Sequence, residues 1–516
     1  MRVMSIEVET VRTKKNKSAK RKTKERVLII GLDGARLDII KKWIDEGALP
    51  HLKKIIEHGI SGNLRTVFPP HSMLAWTSFM TGTNPGKHGI YNIQLQTPGT
   101  YELRVPNATM VKSKTIFRAL SEHGFTVASI NIPMTYPPQK VNGAVVSCWL
   151  TPPGAKYTYP PELQKELDRI GYKIQPSALH KTEKDFEKDV YDATEKRFEA
   201  LKMILEKYDW SLAAVLDTGT EHMHHNYASF LDKEHPDYRD GQEDVVKKYY
   251  SFVGGKIGEI IEFLQTRYER KGDSVHVFII SDHGFGPSYG KIYLNNVLKK
   301  YGWFKEKKRF SATGRIFEFL ESSGIANRLR NLLKVGFFDM MPDFVKKKIE
   351  IGRAGSVDAD WTNTKAYCTG ILGDIRINLV GREPEGIVTA EEYEKLRDEI
   401  IEKIKNDEDI GKYVAGVYKR EELYTGPEVK TIPDLYVDFN KCCTSSPKTP
   451  DNEFMGKRTD AGYHTMDGII IVKGPNIKEG VEIKDAELID IAPTVMSLLG
   501  LEPEKGMDGK VLELKN

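Results

Sequence analysis

Cysteine is scarce in this sequence: Cys148, Cys368, Cys442 and Cys443 are the four in 516 residues. That count gives no disulfide framework, and the spacings give no metal knuckle. Cys442 and Cys443 are neighbours, which in ordinary disulfide geometry do not pair with each other. A reducing compartment fits such thiols, and the chain is expected to be cytoplasmic. Long apolar runs are also missing. None approaches the roughly 20 residues of a membrane-spanning helix, so no span is expected. The basic start of the chain lacks the apolar centre of a signal peptide. No internal repeat is visible.

The rest of the composition describes a globular protein, with 40% hydrophobic and 29% charged residues. A length of 516 residues exceeds the usual single core, so one large domain with insertions or two domains are expected. The net charge of +4 hides a local excess. Residues 12–26 hold nine Lys/Arg against the single acid Glu25. Residues 1–26 are therefore expected to be a disordered basic arm. Its plainer role is a solvated tail; contact with nucleic acid or an anionic surface is the alternative.

From Val27 onward, short apolar runs alternate with helical patterns. Runs at 27–30, 127–132, 211–216, 275–280 and 468–472 read as strands, and 37–44 and 116–123 read as helices. This alternation predicts an α/β fold with a mostly parallel central sheet flanked by helices. Between Pro287 and about Asp460 the pattern changes. Amphipathic helices are expected at 293–301 and 316–335, then a strand at 375–380, a helix at 390–405 and a strand at 434–437. The expectation is a catalytic core of 27–286 and 461–516, with 287–460 inserted as a helical and mixed cap.

Acids and histidines gather where these strands end. Asp33 follows the first strand, and Ser281-Asp282-His283 follow the fourth. Ligands in open α/β sheets bind at the carboxyl ends of the strands, and an adjacent Asp and His offer oxygen and nitrogen to one metal ion. A plainer reading makes Asp282 a helix cap beside a surface histidine. After the third strand, Glu221 and His225 stand four apart, on one face if that turn is helical. His464 precedes the last strand. Pro69-Pro70 force an extended lead-in, and Ser72 is expected to cap the helix that follows, where free N–H groups favour an anion. Together these residues favour a metallohydrolase.

The sequence resembles the alkaline phosphatase superfamily, in its branch of type I phosphodiesterases and nucleotide pyrophosphatases. Within that branch it is similar to a microbial group described as phosphohydrolases or phosphomutases. The matching segments are 32–34, 69–89, 220–225, 281–286, 462–464 and 490–494, with 381–388 and 507–509 closer to the microbial group. The resemblance implies an alkaline-phosphatase-like core with two divalent metal ions, Zn²⁺ foremost and Mn²⁺ or Fe as alternatives. Asp33, Asp282 and His283 would hold one ion, bridged by Ser72 as nucleophile; Glu221, His225 and His464 would hold the other. Two positions depart from the family. Ser72 stands where Thr is usual, and Glu221 where Asp is usual. Asp217 is therefore kept as a rival ligand, with His222 and His224 behind it. His71, His88 and Thr77 are expected to be supporting or structural.

The implied reaction is hydrolysis of a phosphodiester or nucleotide-type pyrophosphate in a phosphorylated small molecule, through a phosphoserine. Backbone N–H groups after Ser72 are expected to help hold the phosphoryl oxygens. A phosphomonoesterase or cofactor-independent phosphomutase is the alternative. A non-catalytic metal-stabilised binding protein is the remaining one.

Overall fold

A computed structural model describes residues 23–177, 180–307, 357–440, 443–451, 453–457 and 460–515. The main sheet has nine strands: β1 (Glu25–Leu32), β2 (Ile60–Arg65), β3 (Val127–Ile130), β4 (Gly143–Val146), β5 (Thr158–Tyr159), β6 (Leu212–Asp217), β7 (Ser274–Ile280), β8 (Asp467–Lys473) and β9 (Val481–Glu487). They lie in the spatial order β9-β2-β8-β7-β1-β6-β3-β4-β5. β8 runs antiparallel to both its neighbours and β5 antiparallel to β4; the other pairings are parallel. The mostly parallel α/β sheet expected from the sequence is thus present.

Both faces of this sheet are covered, which is why its central strands read as continuous apolar runs rather than alternating ones. In β1, Val27 and Ile29 enter one hydrophobic core, and Leu28, Ile30 and Leu32 enter the other. Two helices matter for the site: α1 (Ser72–Thr81) on the first face, and α2 (Gly219–Tyr227) directly after β6. The other helices, among them Glu183–Lys207 and Glu243–Arg267 on the second face, complete the layers.

The basic arm needs one correction. For residues 1–22 the expectation lies outside the described residues, but Glu25 and Arg26 belong to β1. Arg26 is fully buried, pairs with Asp273 at 2.8 Å and Asp209 at 2.7 Å, and lies 4.5 Å from the Tyr268 ring centroid. Its charge made it look like tail, whereas its partners sit some 180 to 250 positions away in sequence.

Between β7 and β8 the chain builds a further core. A four-stranded sheet runs in the order Ala366–Tyr367, Asp374–Ile377, Leu435–Phe439, Val414–Lys419, and the Ala390–Lys405 helix contributes Leu396, Ile400 and Ile404 to the same core. The expected strand at 375–380 stops at Ile377, and Val380 is exposed. The strand at 414–419 is not among those read from the sequence; Gly416 interrupts its apolar residues Val414, Ala415 and Val417. The helix expected at 316–335 lies outside the described residues. This region touches the site's surroundings where Tyr424 Oη donates to the Phe68 carbonyl at 2.5 Å and Arg376 donates to Tyr91 Oη at 3.0 Å.

Candidate metal centre

The site starts from strand register. Gly31 of β1 pairs with Ile280 of β7, so Asp33 and Asp282 both stand two residues past the last shared rung. Gly34 turns the chain with φ +69°, and a Cβ there would lie 2.8 Å from Phe285. Its N–H donates to Asp282 Oδ1 at 3.3 Å, and Ala35 N–H donates to Ser281 Oγ at 2.9 Å. His283 Nδ1 donates to the Gly284 carbonyl at 3.0 Å, which leaves Nε2 as the lone-pair nitrogen. That nitrogen is 3.2 Å from Asp282 Oδ2 and 3.6 Å from Asp33 Oδ1.

Ser72 reaches this group from α1. It is not the cap that the sequence suggested. His71, held extended at φ −159° and ψ 137°, is the N-cap, and its Nδ1 accepts from Met73 N–H at 3.3 Å. Ser72 is the first helical residue, so its side chain is free of capping. Ser72 Oγ donates to Asp33 Oδ1 at 3.4 Å and lies 3.2 Å from His283 Nε2. Of the N–H groups after Ser72, that of Met73 is taken by His71, which narrows the backbone donors expected for an anion.

The second set of donors comes from α2 and from the strand Gly462–Thr465. Gly219 opens α2 because a Cβ there would fall 1.8 Å from Tyr249 Oη. The helical turn puts Glu221 Oε1 3.4 Å from His225 Nε2, as the four-residue spacing predicts. Gly462–Thr465 pairs antiparallel with Gly284–Pro287 and sets His464 opposite Phe285. His464 Nδ1 donates to the Pro70 carbonyl at 3.1 Å, and Nε2 stands 3.4 Å from Glu221 Oε1. The His464 ring stacks on His283 at 3.8 Å. Donor atoms of Asp33, Asp282 and His283 lie within 4.8 Å of one another, as do those of Glu221, His283 and His464. His283 belongs to both groups, and His225 joins through Glu221.

Asp217 is elsewhere engaged. Oδ1 accepts from Thr194 Oγ1 at 2.8 Å and Arg197 Nη1 at 2.9 Å; Oδ2 accepts from Tyr249 Oη at 2.6 Å and Gly219 N–H at 3.3 Å. His224 is buried against Phe285, 3.3 Å from Tyr250 Oη, and His222 enters neither donor group. His88 bonds Ser78 Oγ at 2.8 Å, and Thr77 Oγ1 donates to the Met73 carbonyl at 2.6 Å. Thr220 was not anticipated. Its hydroxyl donates to the Asp33 carbonyl at 2.6 Å and so ties the helix carrying Glu221 to the strand end carrying Asp33. A threonine inside a helical turn carries no sequence signal for such a bond.

Electrostatically the acids of the site have no lysine or arginine beside them, and His225 is the ring that Glu221 pushes toward its charged form. Among the described residues, no Lys or Arg pairs with Asp33, Asp282 or Glu221. Burial, then repulsion from Asp282 and Glu221, holds the Asp33 carboxyl well above its usual range. Burial and then Glu221 push Asp282 up to about 8. Burial also opposes the ionisation of Glu221, but the His225 ring beside it, itself raised against burial by that carboxylate, outweighs it and holds the carboxyl low. Burial lowers His283 to about 4 and His464 to about 3, so both rings are neutral near pH 7. Asp33 Oδ2, Asp282 Oδ2 and His464 Nε2 are buried with no hydrogen-bond partner. Buried polar atoms rarely go unsatisfied. Hard oxygens beside neutral imidazole nitrogens are the donor set of a divalent transition-metal ion, which would satisfy those atoms and neutralise the acids. The residues fit such ions.

The family description of type I phosphodiesterase / nucleotide pyrophosphatase matches residues 27–464. The chain belongs to that family. It thereby stands in the alkaline phosphatase superfamily, among hydrolases of phosphoric esters. No curated protein sequence matches it. Among solved structures it is similar to phosphonoacetate hydrolase from Sinorhizobium meliloti 1021, in complex with phosphonoformate, at TM-score 0.56 and 15% identity over 92% of this chain and 96% of that one. It is also similar to human ectonucleotide pyrophosphatase/phosphodiesterase 5, at TM-score 0.53 and 13% identity over 94% and 97%. The murine form of that protein, an inactive variant in complex with AMP, has TM-score 0.52 and 13% identity over 93% and 96%. At these identities the likeness is one of fold.

Proposed function

We propose that the chain is a two-metal phosphohydrolase that cleaves a phosphodiester or nucleotide-type pyrophosphate of a small molecule through a phosphoserine at Ser72. The observation that carries this reading is the position of Ser72 Oγ, 3.4 Å from Asp33 and 3.2 Å from His283, at the edge of two adjoining donor groups. Asp33, Asp282 and His283 would hold one ion; Glu221, His225 and His464 would hold the other. Zn²⁺ suits this mixed oxygen and nitrogen set, with Mn²⁺ or Fe as alternatives. Bound there, two divalent ions supply a lowered hydroxyl pKa and charge neutralisation for phosphoryl transfer.

Ser72 is positioned by α1 and the His71 cap to attack phosphorus in line. The P–O bond to the leaving alcohol or phosphate breaks as the Ser72 Oγ–P bond forms. Water then attacks the phosphoserine, releases the phosphorylated product and restores the hydroxyl. Asp33 is the nearest carboxylate acceptor for the Ser72 proton. The hydrogen bonds from His283 to Gly284 and from His464 to Pro70 fix each ring's tautomer, so that both Nε2 atoms face the site.

The decisive variant is Ser72→Ala. Assayed with bis-p-nitrophenyl phosphate, p-nitrophenyl phosphate and a nucleotide sugar in Zn²⁺ or Mn²⁺, it is expected to lose at least about a thousandfold in turnover. Its metal content, read by elemental analysis, should persist. Normal turnover in Ser72→Ala would overturn the nucleophile assignment. A wild-type preference for the monoester would favour the phosphomonoesterase or mutase alternative. The cytoplasmic placement remains part of this proposal, supported by the free thiols of Cys148 and Cys368.

A further inference from the structure

We infer that His71 is a catalytic residue as well as a helix cap: its Nε2–H donates a hydrogen bond to a non-bridging oxygen of the phosphoryl group that Ser72 attacks. This role rests on the phosphoryl-transfer reading above. Met73 N–H donates to His71 Nδ1 at 3.3 Å. That nitrogen therefore holds a lone pair, and the ring proton stands on Nε2. Among the described residues Nε2 has no hydrogen-bond partner, and the ring is part-buried rather than sealed off.

Two features give the direction of this N–H. The first N–H groups of a helix point out of its N-terminal end, and Ser72 and Met73 are the first two residues of α1. His71 Nδ1 faces that end, so Nε2, on the far side of the ring, continues the line of Met73 N–H away from the helix. The second feature is His464. Its ring centroid lies 5.4 Å from that of His71 and 3.8 Å from that of His283, whose Nε2 is 3.2 Å from Ser72 Oγ. His464 Nδ1 also donates to the carbonyl of Pro70, the residue before His71. The backbone that carries the His71 ring is thereby pinned to a candidate metal ligand, and the ring borders the same group of side chains as the Ser72 hydroxyl. In that group Asp33 Oδ2, Asp282 Oδ2 and His464 Nε2 are buried without partners, which marks the place where a ligand is received.

A phosphoryl group at Ser72 gains charge on its non-bridging oxygens during transfer, and preorganised donors stabilise that charge. The Met73 N–H is already taken by Nδ1, so Nε2–H stands in for it, one ring further out. A hydrogen bond into Nδ1 polarises the imidazole and strengthens Nε2–H as a donor, so the positive end of the helix dipole acts through the ring. A neutral imidazole held at a helix N-terminus serves as an electrophile in other enzyme sites. No proton leaves His71 in this step. Its hydrogen bond tightens as the Ser72 Oγ–P bond forms.

Two variants separate the cap from the donor. His71→Asn keeps a side-chain oxygen for Met73 N–H and removes the distal N–H. His71→Gln gives up the favoured cap but carries an amide N–H at about the reach of Nε2. With bis-p-nitrophenyl phosphate, kcat of His71→Asn should fall about a hundredfold with KM within about threefold, while melting temperature and metal content stay at wild-type values. His71→Gln should melt lower, yet recover kcat to within about tenfold of wild type. Wild-type kcat in His71→Asn, or a His71→Gln as slow as His71→Asn, overturns the donor role and leaves His71 a cap. Titration of inorganic phosphate into the Zn²⁺-loaded protein gives a readout without turnover: affinity should drop about tenfold in His71→Asn and hold in His71→Gln. Should wild type turn over no ester, the phosphoryl-transfer reading fails and takes the catalytic role with it. The phosphate titration then decides whether Nε2–H is an anion donor, and equal affinities in wild type and His71→Asn overturn it.

Discussion

Asp33 and Asp217 end neighbouring strands of one sheet, one residue apart in register, and are built in opposite ways. Asp217 pairs in register with Leu32 and is fully buried, yet it accepts four hydrogen bonds, one from a guanidinium. Asp33 is as deeply buried, but its neighbours are Asp282, Glu221 and a neutral His283, and Oδ2 has no partner. Asp434, in the region between β7 and β8, repeats the first design: Arg382 grips both its oxygens at 2.7 and 2.6 Å, and Tyr393 and the Ile377 N–H complete it. A satisfied acid holds a fold together. An acid left unsatisfied among like charges costs stability, and natural proteins keep such a cost mainly where function requires it. The contrast separates structural acids from candidate ligands without appeal to sequence motifs.

The comparison can be broken most forcefully at Asp217. Asp217→Ala strands the Arg197 charge and the Tyr249 and Thr194 hydroxyls, and should destabilise the fold by about 3–5 kcal/mol in denaturant titration. Metal content measured well below the melting temperature should be kept; a metal-free but stable variant would reverse the roles assigned to Asp217 and Asp33. Asp434→Asn should cost a comparable amount, and with a definite pH dependence. Although Asp434 is buried, the hydrogen bonds and charge of Arg382, with Arg420, lower its carboxyl from 3.8 to about 2. Its contribution is therefore present in full above about pH 4 and lost as pH falls through about 2, so the melting-temperature gap to Asp434→Asn should close on acidification.

Asp33→Asn should do the reverse of Asp217→Ala. Metal affinity by calorimetry should fall at least about a hundredfold, since even the outer partners of metal ligands are worth 10–100-fold. The metal-free protein should gain about 1 kcal/mol as the cost of burying an ionisable acid beside Asp282 and Glu221 is removed. A loss of metal-free stability would mean that Asp33 is structural after all. The smallest effect is expected at Glu221→Asp, which restores the shorter acid usual in the family. Turnover should stay within about tenfold, while the relative activation by Zn²⁺ and Mn²⁺ shifts; no change in metal preference would make the extra methylene of Glu221 irrelevant.

Much of this was legible in the linear chain because apolar strands and their polar ends are local features. Val275 to Ile280 announces a buried strand, and the acid and histidine that follow it sit at a carboxyl end for the same reason. The Glu221–His225 step was readable because a helix repeats every 3.6 residues. Arg26 reads as tail in the linear chain, since a buried arginine and a tail arginine differ only in distant partners. The sequence places Ser72 at the cap because Ser is a frequent one, whereas the ring nitrogen of His71 fills that place.

By itself the sequence determined the strand ends, the donor types and the family to which they belong, since each is set by neighbours a few residues away. Tertiary structure alone decided which acids are satisfied and which are left exposed to one another. Asp217 and Asp33 look alike in sequence; Arg197, Thr194 and Tyr249 reach only the first. It also decided that His283 stands in both donor groups, because that depends on His464 stacking on it from 181 positions away. Desolvation makes those choices consequential, for only in a buried site does an unpaired charge demand a counter-charge.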